Sequence, residues 1–316
     1  MIKPLLQDEA LLADMAAVEA ARDEGTLHVW WLGQSGFLVQ WAGERLLFDP
    51  YLSDSLTRKY AGTDKPHVRM TERCVDPARL RGISLATASH LHTDHLDGET
   101  LLPLVRGNPG LCLLVPHPIM KEAAKRLCDA AAVAGVPLCG ISDEARFSST
   151  PHQPAAAQEA DVRICGLSDG EVITHGRWEV RGVVARHNEV VRDAAGHSAY
   201  VGFLVRCGPF TLYHSGDTLW HDDIVRTLRD HAPGCDIAFL PINGNQPERR
   251  VAGNLNGTEA AALAKACGVR QVVPCHYEMF EFNTATTEEF TTACGRLEQP
   301  CRVMRCGERI EVRKAG

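Results

Sequence analysis

The chain has 316 residues, of which 45% are hydrophobic and 23% charged, and its formal net charge is −7. That length can bury a large core, while charges of both signs without a lysine- or arginine-rich run argue against a nucleic-acid binder. Asp8, Glu9 and Asp14 interrupt the start, and no stretch reaches the ~18 apolar residues of a membrane span, so a cytoplasmic chain with no membrane partner is expected.

Residues 4–24 carry leucine and alanine at helical spacing among acidic residues, which predicts a helix. Residues 28–41 read as two short strands joined at a glycine turn, and Ala42-Gly43-Glu44 turns the chain into a third strand over 45–48 that stops at Asp49-Pro50. Residues 51–80 are loop-rich. An apolar strand over 83–88 is followed by helices over 99–106 and 119–134, with a strand over 111–115 between them. In the second half, strands are predicted over 162–166, 178–185, 199–206, 211–214, 237–241, 271–274 and 309–312. Helices are predicted over 224–231, 258–267 and 286–297. The polar, alanine-rich stretch 148–160 reads as a loop. Each half is a strand meander followed by strand–helix units. The expected fold is therefore α/β, a four-layer αββα sandwich of two mixed sheets with outer helices, forming one domain over 1–316 with 1–25 as a helical extension. The twelve cysteines form no C-x-x-C pair, and several lie in strand-like runs such as Leu111-Cys112-Leu113-Leu114. They are expected to be buried thiols.

The densest chemistry lies in Ser89-His90-Leu91-His92-Thr93-Asp94-His95-Leu96-Asp97, directly after an apolar strand. His90 and His92, two apart, project to the same side of an extended segment. Asp94 and His95 follow where the chain turns and can face a second point nearby. Imidazole with carboxylate suits zinc, manganese or iron, and two neighbouring metals are a recurring hydrolytic arrangement. Three further candidates also stand at strand ends: His187, Asp217 in Ser215-Gly216-Asp217-Thr218, and His276 in Pro274-Cys275-His276-Tyr277. His197 is the alternative to His187 if the strand register is shifted.

Taken together in this order, these segments resemble the metallo-β-lactamase superfamily over nearly the whole chain. Trp30-Trp31-Leu32-Gly33-Gln34-Ser35-Gly36, Tyr213-His214-Ser215-Gly216-Asp217 and Gly244-Asn245-Gln246-Pro247 are similar to its L-ascorbate-6-phosphate lactonase branch. The resemblance implies two divalent ions as cofactors. His90, His92 and His187 would hold the first, Asp94, His95 and His276 the second, and Asp217 would bridge them. Asp94 and His214 are the catalytic candidates, Asp94 to orient the attacking water, while His214, on a strand before the Ser-Gly-Asp turn, reads as a core residue or one that orients a ligand by hydrogen bonding.

Asp49 reads equally as a carboxylate that orients a ligand histidine and as a turn-forming residue before proline. Asn243, Arg249 and Arg250 are the substrate-binding candidates, the arginines for a phosphate, with an exposed basic turn as the other reading of the arginines. His28, His67, His117, His152, His175, His221 and His231 are expected on the surface or in loops, and Trp30, Trp31 and Trp41 in the core. The implied function is metal-dependent hydrolysis of a small lactone or ester, with or without a phosphate. A phosphodiesterase of the same fold and a non-catalytic metal-binding protein are the alternatives. The oligomeric state is open between monomer and homo-oligomer.

Overall fold

The computed structural model describes residues 1–136, 141–143, 162–251 and 253–314. The first half runs α1 (Glu9–Ala21), β1 (Thr26–Gly33), β2 (Gly36–Trp41), β3 (Glu44–Phe48), α2 (Ser55–Tyr60), β4 (Ile83–Thr87), α3 (Gly98–Gly107), β5 (Cys112–Pro116), α4 (Met120–Ala134), β6 (Ile141–Asp143) and β7 (Val162–Leu167). The second half runs β8 (Val172–His175), β9 (Trp178–Val184), β10 (Val201–Cys207), β11 (Phe210–His214), α5 (Asp222–His231), β12 (Ile237–Pro241), α6 (Gly257–Cys267), β13 (Gln271–Cys275), α7 (Glu288–Leu297) and β14 (Arg309–Arg313). The predicted loop 148–160 lies outside the described residues.

Eight strands form one sheet in the order β14-β1-β2-β3-β4-β5-β7-β6, and six form the other in the order β13-β12-β11-β10-β9-β8. Both sheets are mixed. β3, β4, β5 and β7 run parallel, as do β11, β12 and β13, beside antiparallel meanders. The sheets meet through aromatic side chains: Phe37 of β2 stacks on Phe239 of β12 with ring centroids 4.1 Å apart, and Phe48 of β3 faces Phe203 of β10. Helices α3 and α4 pack together against the first sheet, and α5, α6 and α7 flank the second. This is the expected α/β sandwich of two sheets with outer helices.

Helix α1 is shorter than predicted and lies on the first sheet. Trp30 Nε1 donates to Asp14 at 2.8 Å, Arg45 reaches the Met15 carbonyl at 3.2 Å, and Leu11 and Met15 are buried in the shared core. The helix starts follow local chemistry. Asp97 caps α3 by accepting from Thr100 N, and Asn256 with Glu259 forms a reciprocal capping box at α6. Strands β6 and β8 and the short helix α2 were not predicted. Trp30, Trp31 and Trp41 are core residues, and the described cysteines are free thiols, mostly buried. Among the described residues no helix is long and apolar enough to cross a membrane.

The ends of the strands set the stage for chemistry. In parallel α/β sheets, the crevice beyond the strands' carboxyl ends is where ligands gather. Strands β4, β9, β11 and β13 all end within a few residues of a predicted ligand, namely the 90–95 cluster, His187, Asp217 and His276.

Candidate metal centre

The seven predicted ligands converge as two adjoining groups. Donor atoms of His90, His92, His187 and Asp217 lie within 4.8 Å of one another, and so do those of Asp94, His95 and His276. The groups touch. The His90 and His95 ring centroids are 4.2 Å apart, and the Asp217 carboxylate lies 3.3 Å from His95 Nε2 and 3.4 Å from His276 Nε2. Asp217 therefore belongs to one group and abuts the other.

Each of three histidines is held by its far nitrogen. His187 Nδ1 donates to the Gly253 carbonyl at 3.0 Å. A carbonyl only accepts, so the proton sits on Nδ1 and Nε2 keeps its lone pair. His95 Nδ1 donates in the same way to the fully buried Asp49 carboxylate at 2.8 Å. His90 Nδ1 pairs with Ser89 Oγ at 3.0 Å. Asp49 also accepts from Thr87 Oγ1, Ser89 N and Ser89 Oγ. It thus orients His95 and pins the loop that carries the cluster, and a turn-forming role alone does not account for its place.

The donor set fits cations. His90 Nε2, His95 Nε2 and Asp217 Oδ1 are buried without a hydrogen bond, a costly state for polar atoms that two divalent ions would relieve. The charge pattern agrees. Burial pushes His90 well below the usual imidazole range, and His95 and His92 add to that. Burial acts the same way on His95, but Asp217 and Asp94 outweigh it and hold that ring well above its ordinary value. His276, equally desolvated, is drawn up to about 9 by Asp217 and Asp94. Burial would raise Asp217, yet His276 and His95 keep it well below the usual carboxylate range. The two carboxylates thus create, at His95 and His276, a demand for positive charge that cations would meet.

The centre opens into a cavity of about 430 Å³ whose lining includes His92, Asp94, His187, Asp217 and His276. Lys59, Lys65, Arg126 and Arg250 give it a cationic rim, and Tyr60, His67, Phe280 and Phe282 an aromatic wall. Among the described residues, its only acidic lining side chains are Asp94 and Asp217. A larger groove of about 1040 Å³ along α3 and α4 contains none of the seven ligands.

Several expectations need correction. His214, named with Asp94 as a catalytic candidate, instead fits its other reading as a core residue that orients its neighbours: it is fully buried with both ring nitrogens on backbone. It donates to the Ser35 carbonyl at 2.8 Å and accepts from Gly216 N at 3.2 Å, and its ring stacks on Phe48 at 4.9 Å. It positions the turn bearing Asp217 and does not face the cavity. Arg249 is not among the lining residues of the cavity and donates to Gln246 Oε1 and to the carbonyls of Phe282 and Thr284. Arg250 does line the cavity, paired with Asp64 at 2.8 Å, as does Asn243, which donates to Asn283. His197 is half-exposed and packs on His117 with ring centroids 4.4 Å apart, so His187 is the residue in the cluster. His28 is buried, and His67 stacks on Tyr60 at 4.2 Å in the cavity wall.

One residue of the centre went unpredicted. Gln34 Nε2 donates to Asp94 Oδ2 at 2.8 Å and lies 3.0 Å from His276 Nε2, while its buried Oε1 has no partner. It sits in the β1–β2 turn with φ of 50°, and its motif, Trp31-Leu32-Gly33-Gln34-Ser35-Gly36, was the available signal.

Gly253 offers a local test. Its φ is +87°, and a Cβ there would stand 2.2 Å from His187 Nδ1. Gly253→Ala should displace His187 and lower affinity for one cation by about 10–100-fold, leaving the other unchanged in a chelator-competition titration. Two parental affinities would show that His187 is not held this way.

Two sheets closing over adjoining histidine–carboxylate groups at their strand ends are the architecture and candidate metal centre of the metallo-β-lactamase fold. Comparison with known proteins agrees. The pattern of the beta-lactamase superfamily domain matches residues 44–277, and the chain belongs to that family. A metal-dependent hydrolase of Opitutus terrae is 28% identical over 90% of this chain and 100% of its own length. One from Pyrococcus horikoshii is 22% identical over 90% of this chain and 99% of its own. Among solved structures, the isothiocyanate hydrolase from Delia radicum gut bacteria aligns with a TM-score of 0.62 at 17% identity, covering 90% of this chain and 98% of that one. Igni18, a metallo hydrolase from Ignicoccus hospitalis, aligns with a TM-score of 0.58 at 18% identity, covering 90% and 98%. At these identities the structures share the fold.

Proposed function

We propose that the protein hydrolyses a small anionic lactone or ester, using two divalent ions of the zinc, manganese or iron kind. The observation that carries this reading is the cavity itself. It opens onto both ligand groups, its only described acids are the ligands Asp94 and Asp217, and lysine and arginine form its rim.

His90, His92, His187 and Asp217 would hold one ion, Asp94, His95 and His276 the other, with Asp217 shared. When bound, such ions supply Lewis acidity and make water a usable nucleophile near neutral pH. Asp94, which lines the cavity and is steadied by Gln34, can accept a hydrogen from an incoming water and aim it. His214, Asp49 and Gly253 act only by holding ligands in place. Lys65, whose ammonium lies over the Phe282 ring at 4.6 Å, would supply the charge that selects an anion, Arg250 being already paired with Asp64, and the aromatic wall would shield the scissile bond from bulk water.

The test is a panel of lactones and esters in matched neutral and phosphorylated forms, with bis-p-nitrophenyl phosphate alongside, assayed after loading with Zn²⁺ or Mn²⁺. The anionic acyl substrates should be preferred. Lys65→Ala should raise KM for them about tenfold, the loss of roughly 1.4 kcal/mol, with kcat unchanged, because binding to the charged group is equal in ground and transition states. Preference for neutral substrates would overturn the anionic assignment, and turnover confined to the diester would replace it with phosphodiesterase activity.

A further inference from the structure

We propose a third cation site, built by His117, Glu171 and His197 and separate from the hydrolytic centre. The donor atoms of these three residues lie within 4.8 Å of one another, and none of them belongs to the seven ligands described above. They come from distant parts of the chain: His117 follows β5, Glu171 precedes β8, and His197 lies in the loop before β10.

The site is built and held from behind. His117 lies against β7 at Gly166, where a Cβ would stand 2.1 Å from its Nδ1, so that strand position admits the ring only as glycine. His117 Nε2 meets Glu171 Oε2 at 2.8 Å, and the same oxygen accepts from Ser168 N at 2.7 Å. His197 Nδ1 faces Asp193 Oδ2 at 3.3 Å. With Nδ1 donating to that carboxylate, Nε2 keeps a lone pair for a ligand, the carboxylate–histidine arrangement that orients metal-binding imidazoles. The loop beneath is tied down as well. Asp193 Oδ1 accepts from Ala195 N and His197 N, Arg192 clasps Asp169 through both oxygens, and Ser198 Oγ bonds to the same Asp169.

Two imidazoles and one carboxylate are a zinc-type donor set. Three protein ligands leave a fourth position for water. His117 and His197 remain partly exposed, with side chains 19% and 35% accessible, so an ion can enter from solvent. Glu171 stands where the chain passes from β7 of the first sheet to β8 of the second, and His197 stands just before β10 of the second. A bound cation would clip these segments to the end of β5, closing long loops at the sandwich edge.

The experiment compares the full chain with His197→Ala and Glu171→Gln after chelator stripping and dialysis against micromolar free Zn²⁺, reading zinc per chain by elemental analysis. Both side chains are partly exposed and outside the core, and hydrolytic activity serves as the check that the main centre is intact. The expected result is one zinc fewer in each variant than in the parent, with turnover unchanged. Equal zinc in parent and both variants would overturn the proposal and leave a surface His–Glu pair. Loss of more than one zinc, or loss of turnover, would show that the site is not separate. Because the reading is a difference between parent and variant, it does not depend on how many ions the main centre takes.

Discussion

Asp217→Ala is expected to empty the metal centre and abolish turnover. The Asp217 carboxylate reaches His95 at 3.3 Å and His276 at 3.4 Å while belonging to the group of His90, His92 and His187. Without it, the proposed two-ion centre keeps five histidines and a single carboxylate, Asp94. Two adjacent ions would then repel each other with no anion between them, and the repulsion is strong where water is excluded. Loss of metal content should accompany a fall in kcat/KM of a thousandfold or more, about 4 kcal/mol of transition-state stabilisation. Asp217→Asn keeps the volume, so it separates charge from packing and should fail nearly as badly. Elemental analysis with kcat/KM on folded variants, checked by circular dichroism, decides the matter. Two ions at the parental rate would remove Asp217 from the bridging position.

How much of this was legible beforehand depended on locality. The 90–95 cluster could be read because its four donors lie within one turn after an apolar strand. His187, Asp217 and His276 could be read because each follows a short apolar run, and strand ends of such sheets share one edge. What the sequence concealed was direction. Arg249 and Arg250 are neighbours in a tight turn, and the left-handed backbone of Arg250, with φ of 53°, divides them, so that one lines the cavity and the other braces the loop at 282–284. His214 sits on a strand end as the ligands do, yet its ring turns inward between the sheets onto Phe48. Gln34 and His67 depend on tertiary placement, Gln34 on a turn laid over the ends of other strands and His67 on a loop-rich segment without periodic pattern. Strand β8 has four residues, alternates exposed and half-buried positions and forms an edge, so it carries little apolar signal.

Asp49 is the second position where a large effect is expected, and here through support and not contact with substrate. Its carboxylate has no solvent exposure, and its backbone is left-handed, with φ of 35°, a conformation that aspartate tolerates better than most residues. It accepts from Thr87 Oγ1 at 2.8 Å, Ser89 N at 3.1 Å and His95 Nδ1 at 2.8 Å. Asp49→Ala leaves all of these donors buried without an acceptor, and breaking a buried charged network of this kind costs about 3–5 kcal/mol. A urea titration of the metal-free chain should show that loss as a lowered midpoint with an unchanged slope. Asp49→Asn is the more telling variant, because it fills the space but must turn an NH₂ group towards donors. His95 then loses its orienting partner, and affinity for the ion held with Asp94 and His276 should fall about 10–100-fold. The ion held by His90, His92 and His187 should be less affected, since His187 is anchored independently on Gly253. Competition with a graded series of chelators would resolve the two affinities. If Asp49→Asn bound both ions as the parent does, the carboxylate would be a turn former and nothing more.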